Sequence, residues 1–325
     1  MRKQLEGIYA PYIKQYIDFK RSLGFKYDTE AKVFLFFDRF TIMRDEKIVG
    51  ITRDLAVDWC NLNPNESGSY KYHRCVCLNQ LASYLCKIGF HSYIMQLPAN
   101  KNTFTPYIFS RNQVADLFEA ADTVTGKKKR MDSAIIILPA LLRLLYGTGL
   151  RISEALALKN KDVNLDDNYL IVRDSKNGKE RMIPVSSSLS EVLKEYVKYR
   201  NLMPVAISGN NCFFITLSGS GCNRDHVRKW FRKILLTAGI SRDDSGPRLH
   251  DLRHTFSVHA LAMMAESGTD LYCSLPTLSA YLGHQSLEAT NGYIRLTSDM
   301  YPGLLRDVDL ICLNVFPKTE LYATH

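Results

Sequence analysis

The stretch Thr148-Gly149-Leu150-Arg151-Ile152-Ser153-Glu154-Ala155-Leu156 decides how the rest of the chain is read. A glycine-containing turn precedes Arg151 and aims it into a site, and a short helix is predicted over Arg151 to Leu158. A second stretch, His250-Asp251-Leu252-Arg253-His254-Thr255-Phe256, sets a histidine and another arginine at i and i+3, on one face of a helix. Guanidinium groups stay charged and fork onto two oxygens at once. Two of them suit a phosphodiester whose non-bridging oxygens must be neutralised as a trigonal bipyramid forms.

Working outward, Leu170-Ile171-Val172-Arg173 and Arg181-Met182-Ile183-Pro184-Val185 are strand-like and flank Lys176-Asn177-Gly178-Lys179. The Asn-Gly pair between such runs signals a hairpin. Leu282-Gly283-His284 follows, with Tyr293 nine residues further on. A tyrosine is a weak nucleophile at its ordinary pKa of about 10. Surrounding positive charge is expected to lower that value, with His250 as the base. Lys176, or Lys179 beside it, is placed on the hairpin tip to protonate a leaving 5′ oxygen. His284 is placed to donate a hydrogen bond to the phosphate. His254 and His259 continue the second helix and are read as structural.

In this order, the four segments closely resemble the tyrosine recombinases, the family of the Xer recombinases, Cre and the lambda-type integrases. The resemblance covers about 108–297. It implies that Arg151 is the first catalytic arginine and Glu154 the acidic residue one turn later. Lys176, rather than Lys179, matches the hairpin lysine. His250 and Arg253 match the His-x-x-Arg pair, His284 the second histidine and Tyr293 the nucleophile. The implied reaction cuts DNA to a 3′-phosphotyrosine and a free 5′-hydroxyl, then rejoins it with no nucleotide, metal or other cofactor. The implied fold is mostly α with a small β-hairpin or sheet: a helical core-binding domain followed by a mixed α/β catalytic domain, clamped in a C shape around the duplex. The leading expectation is the integrase or transposase of a mobile element. A Xer-like chromosome or plasmid dimer resolvase is the second reading. A monomeric type IB topoisomerase and a non-catalytic DNA-binding module are the readings from other classes. Expected partners are double-stranded DNA at short core sites, three further copies in a synaptic tetramer, and an excisionase or other directionality factor. The chain starts directly at the core-binding domain, so no extra arm-binding module is expected.

The remaining sequence fits this frame. The 325 residues suffice for two domains. A net charge of +9 and a pI of about 9.0 suit a polyanionic partner. No apolar run is long enough to span a membrane and the first residues do not form a signal peptide, so a cytoplasmic protein is expected. Residues 1–95 read as a helical DNA-binding domain. Its helices run through Tyr9 to Phe19 ahead of Gly24, Val33 to Phe40, Arg53 to Cys60 capped by Thr52, and Tyr70 to Ile88. Arg21, Lys26, Lys32, Lys71 and Arg74 are bases near their ends. Residues 96–107 read as a linker and 108–325 as the catalytic domain. That domain opens on a capping box at Ser110 and Gln113. Beyond it the sequence predicts an apolar helix over Met131 to Tyr146, a core strand at Phe213-Phe214-Ile215, and helices near 187–201, 223–238, 249–267, 275–282 and 286–294. The basic run Lys127 to Arg130 reads as a solvated loop. The eight cysteines are expected to be reduced. His73, Cys75 and Cys77 lack the spacing of a zinc site. The apolar tail, Met300 to Phe316, has two open readings: packing on its own domain, or on a neighbouring copy.

Overall fold

The computed structural model describes residues 4–63, 65–97, 105–125, 133–173, 180–240, 246–284, 290, 292–293 and 296–297. The chain divides into two compact units, Met1–Phe104 and Thr105–His325.

The first unit holds α1 (Ala10–Ser22), α2 (Asp28–Met43), α3 (Arg53–Asn61) and α4 (Gly68–Lys87). The capping residues set where these helices begin. The Thr52 hydroxyl accepts from the Leu55 amide at the start of α3, and the Ser67 hydroxyl accepts from Tyr70 at the start of α4. Tyr9, Phe34, Phe37 and Trp59 are fully buried. Phe37 meets both Tyr9 and Trp59 edge-on, the arrangement aromatic quadrupoles favour. Arg74 is not the surface base that its place near a helix end suggests. It is buried, paired with Glu66, hydrogen-bonded to the Trp59 carbonyl and laid over the indole, so it braces α3 against α4. The expectation of reduced cysteines is corrected for one pair and holds for Cys77, Cys86, Cys212, Cys222 and Cys273. α3 and α4 bring Cys60 and Cys75 to a Cα separation of 6.3 Å, where they pair as a disulfide.

The second unit begins with α5 (Arg111–Thr123), opened by the Ser110–Gln113 capping box. Then follow α6 (Leu138–Thr148), α7 (Ile152–Ala157), strands β1 (Val163–Asn164), β2 (Tyr169–Val172) and β3 (Arg181–Pro184), and helices α8 (Ser187–Asn201), α9 (Arg224–Thr237), α10 (Asp251–Glu266) and α11 (Leu271–Leu282). α6 starts later than the apolar run predicts. Pro139 sits in its first turn, and a 3-10 turn, Ile135–Ile137, precedes it. The sheet is antiparallel in the order β1-β2-β3, with Leu170 opposite Ile183 and Val172 opposite Arg181. The short β1 carries no sequence signal of its own. Phe213, Phe214 and Ile215 are buried, but they run as irregular chain with isolated bridges at Lys159–Cys212 and Ile215–Gly221 rather than as a strand.

α6 lies at the centre and packs on α5, α8 and α10. Its end positions the site. Gly149 caps it in the left-handed region (φ 60°). A Cβ there would stand 2.4 Å from Phe256 and 3.0 Å from Leu282, so the turn needs glycine for both its dihedral and its contacts. Lys176 and Lys179, the basic run at 127–130, most of 286–294 and the whole tail from 300 lie outside the described residues. Among the described residues, no helix is long and apolar enough to cross a membrane.

Candidate active site

Four parts of the second unit converge: the turn after α6, the start of β3, the first turns of α10, and the end of α11 with His284, Thr290 and Tyr293. Arg253 is their hub. Its side chain is buried, and one arm donates to the Gly149 carbonyl at 2.8 Å. The other arm donates to the Leu282 carbonyl at 2.9 Å and meets His284 Nε2 at 2.9 Å. Burial and the neighbouring Arg151 push this guanidinium down to about 10, which still leaves it charged at neutral pH.

The hydrogen bonds of Arg253 fix a tautomer. A guanidinium has no acceptor, so His284 Nε2 must offer its lone pair. The neutral ring then carries its proton on Nδ1 and donates it to Thr290 Oγ1, 2.7 Å away. Burial, with Arg253 and Arg151 beside it, pushes His284 down to about 4, in keeping with a neutral ring at physiological pH.

Arg151 stands at the start of α7. Its amide donates to Glu154 Oε2 at 3.1 Å and its guanidinium to Oε1 at 2.8 Å. Glu154 is almost completely buried and holds a second arginine, Arg181 of β3, at 2.8 Å. Arg181 also donates from Nε to the Tyr281 carbonyl at 3.1 Å. Burial alone would raise the Glu154 carboxyl, but Arg181 and Arg151 outweigh it and hold it below the usual carboxylate range. Arg181 therefore clamps the sheet, α7 and the end of α11 together. Gly283 leaves room for it: a Cβ there would come within 3.1–3.2 Å of the guanidinium.

Tyr293 is 6% exposed. Its hydroxyl lies 3.0 Å from His254 Nδ1, and its ring stacks near His284 with centroids 6.3 Å apart. The expectation that positive charge lowers this hydroxyl is only half right. Burial raises it by more than Arg253, Ser257 and Arg151 lower it, so the net shift is upward. His250, at the start of α10, is exposed and meets His254 edge-to-face at 4.9 Å. Burial of its inner edge, then His254 and Arg253, push it down to about 4, with solvent on the outer edge to screen the effect.

The structure thus gathers Arg151, Glu154, Arg253, His284 and Tyr293, with His250 on the rim; Lys176 lies outside the described residues. Sequence reasoning missed three participants. His254 was read as structural, although it sits one turn after His250 and directly follows Arg253. Arg181 was read only as a strand residue, and Thr290 carried no signal. By contrast, His259 is buried against Tyr146, whose hydroxyl lies 2.9 Å from its Nδ1. Among the described residues, no cluster of His, Cys, Asp and Glu could hold a metal ion.

This arrangement can bind a tetrahedral or bipyramidal anion between two guanidiniums, with a tyrosine hydroxyl beside it. Comparison with known proteins identifies the family. The family model described as the phage integrase family matches residues 108–300. A protein of Sinorhizobium fredii named as an integrase/recombinase is 28% identical over 302 residues, covering 91% of this chain and 96% of its own. The tyrosine recombinase XerA of Pyrococcus horikoshii is 32% identical over 202 residues, 59% of this chain and 58% of its own. The solved structure of a lambda integrase tetramer bound to a Holliday junction covers 87% of this chain and 76% of its own, with a TM-score of 0.61 at 17% identity.

Proposed function

The chain belongs to the phage integrase family and is a tyrosine recombinase, an enzyme that breaks and rejoins DNA, and from that premise we propose that it is the integrase of a mobile element, cutting through Tyr293. The observation that carries the site assignment is the placing of Tyr293 beside Arg253, which is itself tied to Arg151's turn and to His284. The near full-length likeness to an integrase/recombinase supports the mobile-element reading. The likeness to XerA favours the second reading, a Xer-like resolvase.

In the proposed reaction, Arg151 and Arg253 hold the non-bridging oxygens of the scissile phosphate and His250 adds an N–H donor, whereas His284, with its one N–H given to Thr290, orients Arg253 instead of donating to the phosphate as the sequence suggested. The Tyr293 oxygen attacks phosphorus, the bond to the 5′ oxygen breaks, and Lys176 protonates the leaving oxygen. The 3′-phosphotyrosine keeps the energy of the phosphodiester, so rejoining needs no nucleotide. Glu154 acts through Arg151, and Arg181 acts through Glu154; both are positioning residues. Residues 1–95 supply the second DNA-binding unit, and the protein works as a tetramer on paired core sites, as lambda integrase does on its junction. An excisionase sets the direction, and the apolar tail beyond 300 packs on a neighbouring copy.

Sequencing the junctions that flank the gene tests the biological reading: direct repeats there mark the core site, and a housekeeping setting without them favours the resolvase. The chemistry is tested on a duplex with that site, nicked beside the cleavage position. Wild type should be trapped in a complex that survives denaturation. Tyr293→Phe should bind and not be trapped, and trapping of that variant refutes the assignment.

A further inference from the structure

We propose that His254, not His250, takes the proton from Tyr293 as the tyrosine attacks the phosphate, an inference that rests on Tyr293 being the nucleophile. A general base must lie within hydrogen-bond reach of the proton it removes, roughly 2.6–3.2 Å. His254 Nδ1 lies 3.0 Å from the Tyr293 oxygen. The other two imidazoles of the site are engaged elsewhere. His284 is bound through Nε2 to Arg253 and through Nδ1 to Thr290. His250 faces the His254 ring and the solvent. α10 dictates this division: His250 and His254 are i and i+4, so both share the face that carries Arg253, and the inner one meets the tyrosine.

The charge around His254 suits the task. The groups facing it are His250 and Arg253 on α10, Arg248 just before that helix, Tyr293, and His284 after α11. Burial, then Arg248, Arg253 and His284, push the ring down to about 4, so at neutral pH it is uncharged. With its own proton on Nε2, its Nδ1 lone pair accepts from the Tyr293 hydroxyl. A scissile phosphate seated on Arg151 and Arg253 offsets part of the positive field, which restores basicity when substrate is in place.

The step balances. The phenolic proton passes to Nδ1 and the oxygen forms its bond to phosphorus. The phosphorus–5′ oxygen bond breaks, and the departing oxygen leaves with the electron pair and collects a proton from the acid. In rejoining, the 5′-hydroxyl returns its proton to the acid and attacks phosphorus, the phosphorus–tyrosine oxygen bond breaks, and the imidazolium returns its proton to the tyrosine oxygen.

The test is single-turnover cleavage of the nicked duplex by wild type, His254→Ala, His254→Asn and Tyr293→Phe, from neutral to alkaline pH, with site binding measured in parallel. Asparagine keeps a hydrogen-bond acceptor near the position of Nδ1 but has no basicity. Both His254 variants should bind DNA and cleave about a hundred- to ten-thousand-fold more slowly at neutral pH. The deficit should shrink at alkaline pH, and added imidazole should partly restore His254→Ala. Wild-type rates for His254→Asn would mean that the residue only positions the tyrosine. A deficit indifferent to pH and to imidazole would equally overturn the inference. Tyr293→Phe separates the two readings: trapping of that variant removes the nucleophile assignment itself, whereas its failure to trap beside a fast His254→Asn removes only the proton acceptor.

Discussion

Replacing Arg181 with methionine isolates the clamp that holds the site together. The side chain of Glu154 is 4% exposed and that of Arg181 13%, so the pair is largely dry. Removing the cation leaves a buried carboxylate served by Arg151 alone, and leaves the Tyr281 carbonyl without its Arg181 donor. Breaking a buried ion pair from one side costs about 3–5 kcal/mol, and the surviving Arg151 contact places the loss near about 3 kcal/mol. For a unit of this size, about 2–4 °C is lost per kcal/mol, so the melting temperature should fall by about 6–12 °C. The sign of the pH dependence follows from Glu154. Its folded-state value is depressed in wild type, so its contribution is present above the unfolded value of about 4.3 and is lost as pH falls through the folded one. Wild type and variant should therefore differ most at neutral pH and converge in acid. Adding Glu154→Gln to Arg181→Met removes the orphaned charge and should recover part of the loss, with a coupling of about 0.5–3 kcal/mol. Thermal and urea melts of the four proteins across pH measure this. A variant within about 0.5 kcal/mol of wild type, or strictly additive effects in the double variant, would refute the clamp.

Three further outcomes are expected. Lys176→Ala should slow cleavage of an ordinary duplex far more than that of one with a 5′-bridging phosphorothiolate, whose sulfur leaves without a proton; Lys179→Ala is the control, and equal slowing on both substrates would dismiss the acid role. His254 and His284, each pushed down to about 4 in the fold against about 6.5 when unfolded, should leave stability fully present above about pH 6.5 and erode it as pH falls towards 4, with little from solvent-screened His250; urea titrations across that window will read this. Gly149→Ala meets both a left-handed dihedral and Phe256 at 2.4 Å, so it should cost about 2–5 kcal/mol and lower cleavage with it; a melting temperature unchanged from wild type would contradict the packing described around the turn.

The parts of this site that were legible in the sequence are those whose chemistry is local. Arg151 follows a glycine turn, His250 and Arg253 share a helix face at i and i+3, and Asn177-Gly178 announces a hairpin; each is decided within a few residues. The helices of the first unit were legible for the same reason, because Thr52 and the glycine that ends α1 act on their neighbours. What escaped depends on approach between distant segments. Arg181 becomes a clamp only because β3 folds against α7 and the end of α11. His254 becomes a partner of Tyr293 only when the chain returns to α10 some forty residues later. The burial that raises the Tyr293 hydroxyl is likewise a property of the packed unit, invisible to a count of nearby positive charges. The bracing role of Arg74 escaped for the same reason: its place near a helix end does not show that Glu66 and Trp59 close over it.

The acceptors that orient Arg253 in this unit include the carbonyls of Gly149 and Leu282, and a carbonyl is supplied by every amino acid. That part of its anchorage is written in the path of the chain rather than in the identity of side chains. Substitution elsewhere on these segments leaves those two acceptors in place, whereas inserting or deleting one residue in either turn moves them. Surface residues can therefore be exchanged while the orientation of Arg253 is inherited unchanged, provided the lengths of two short turns are kept.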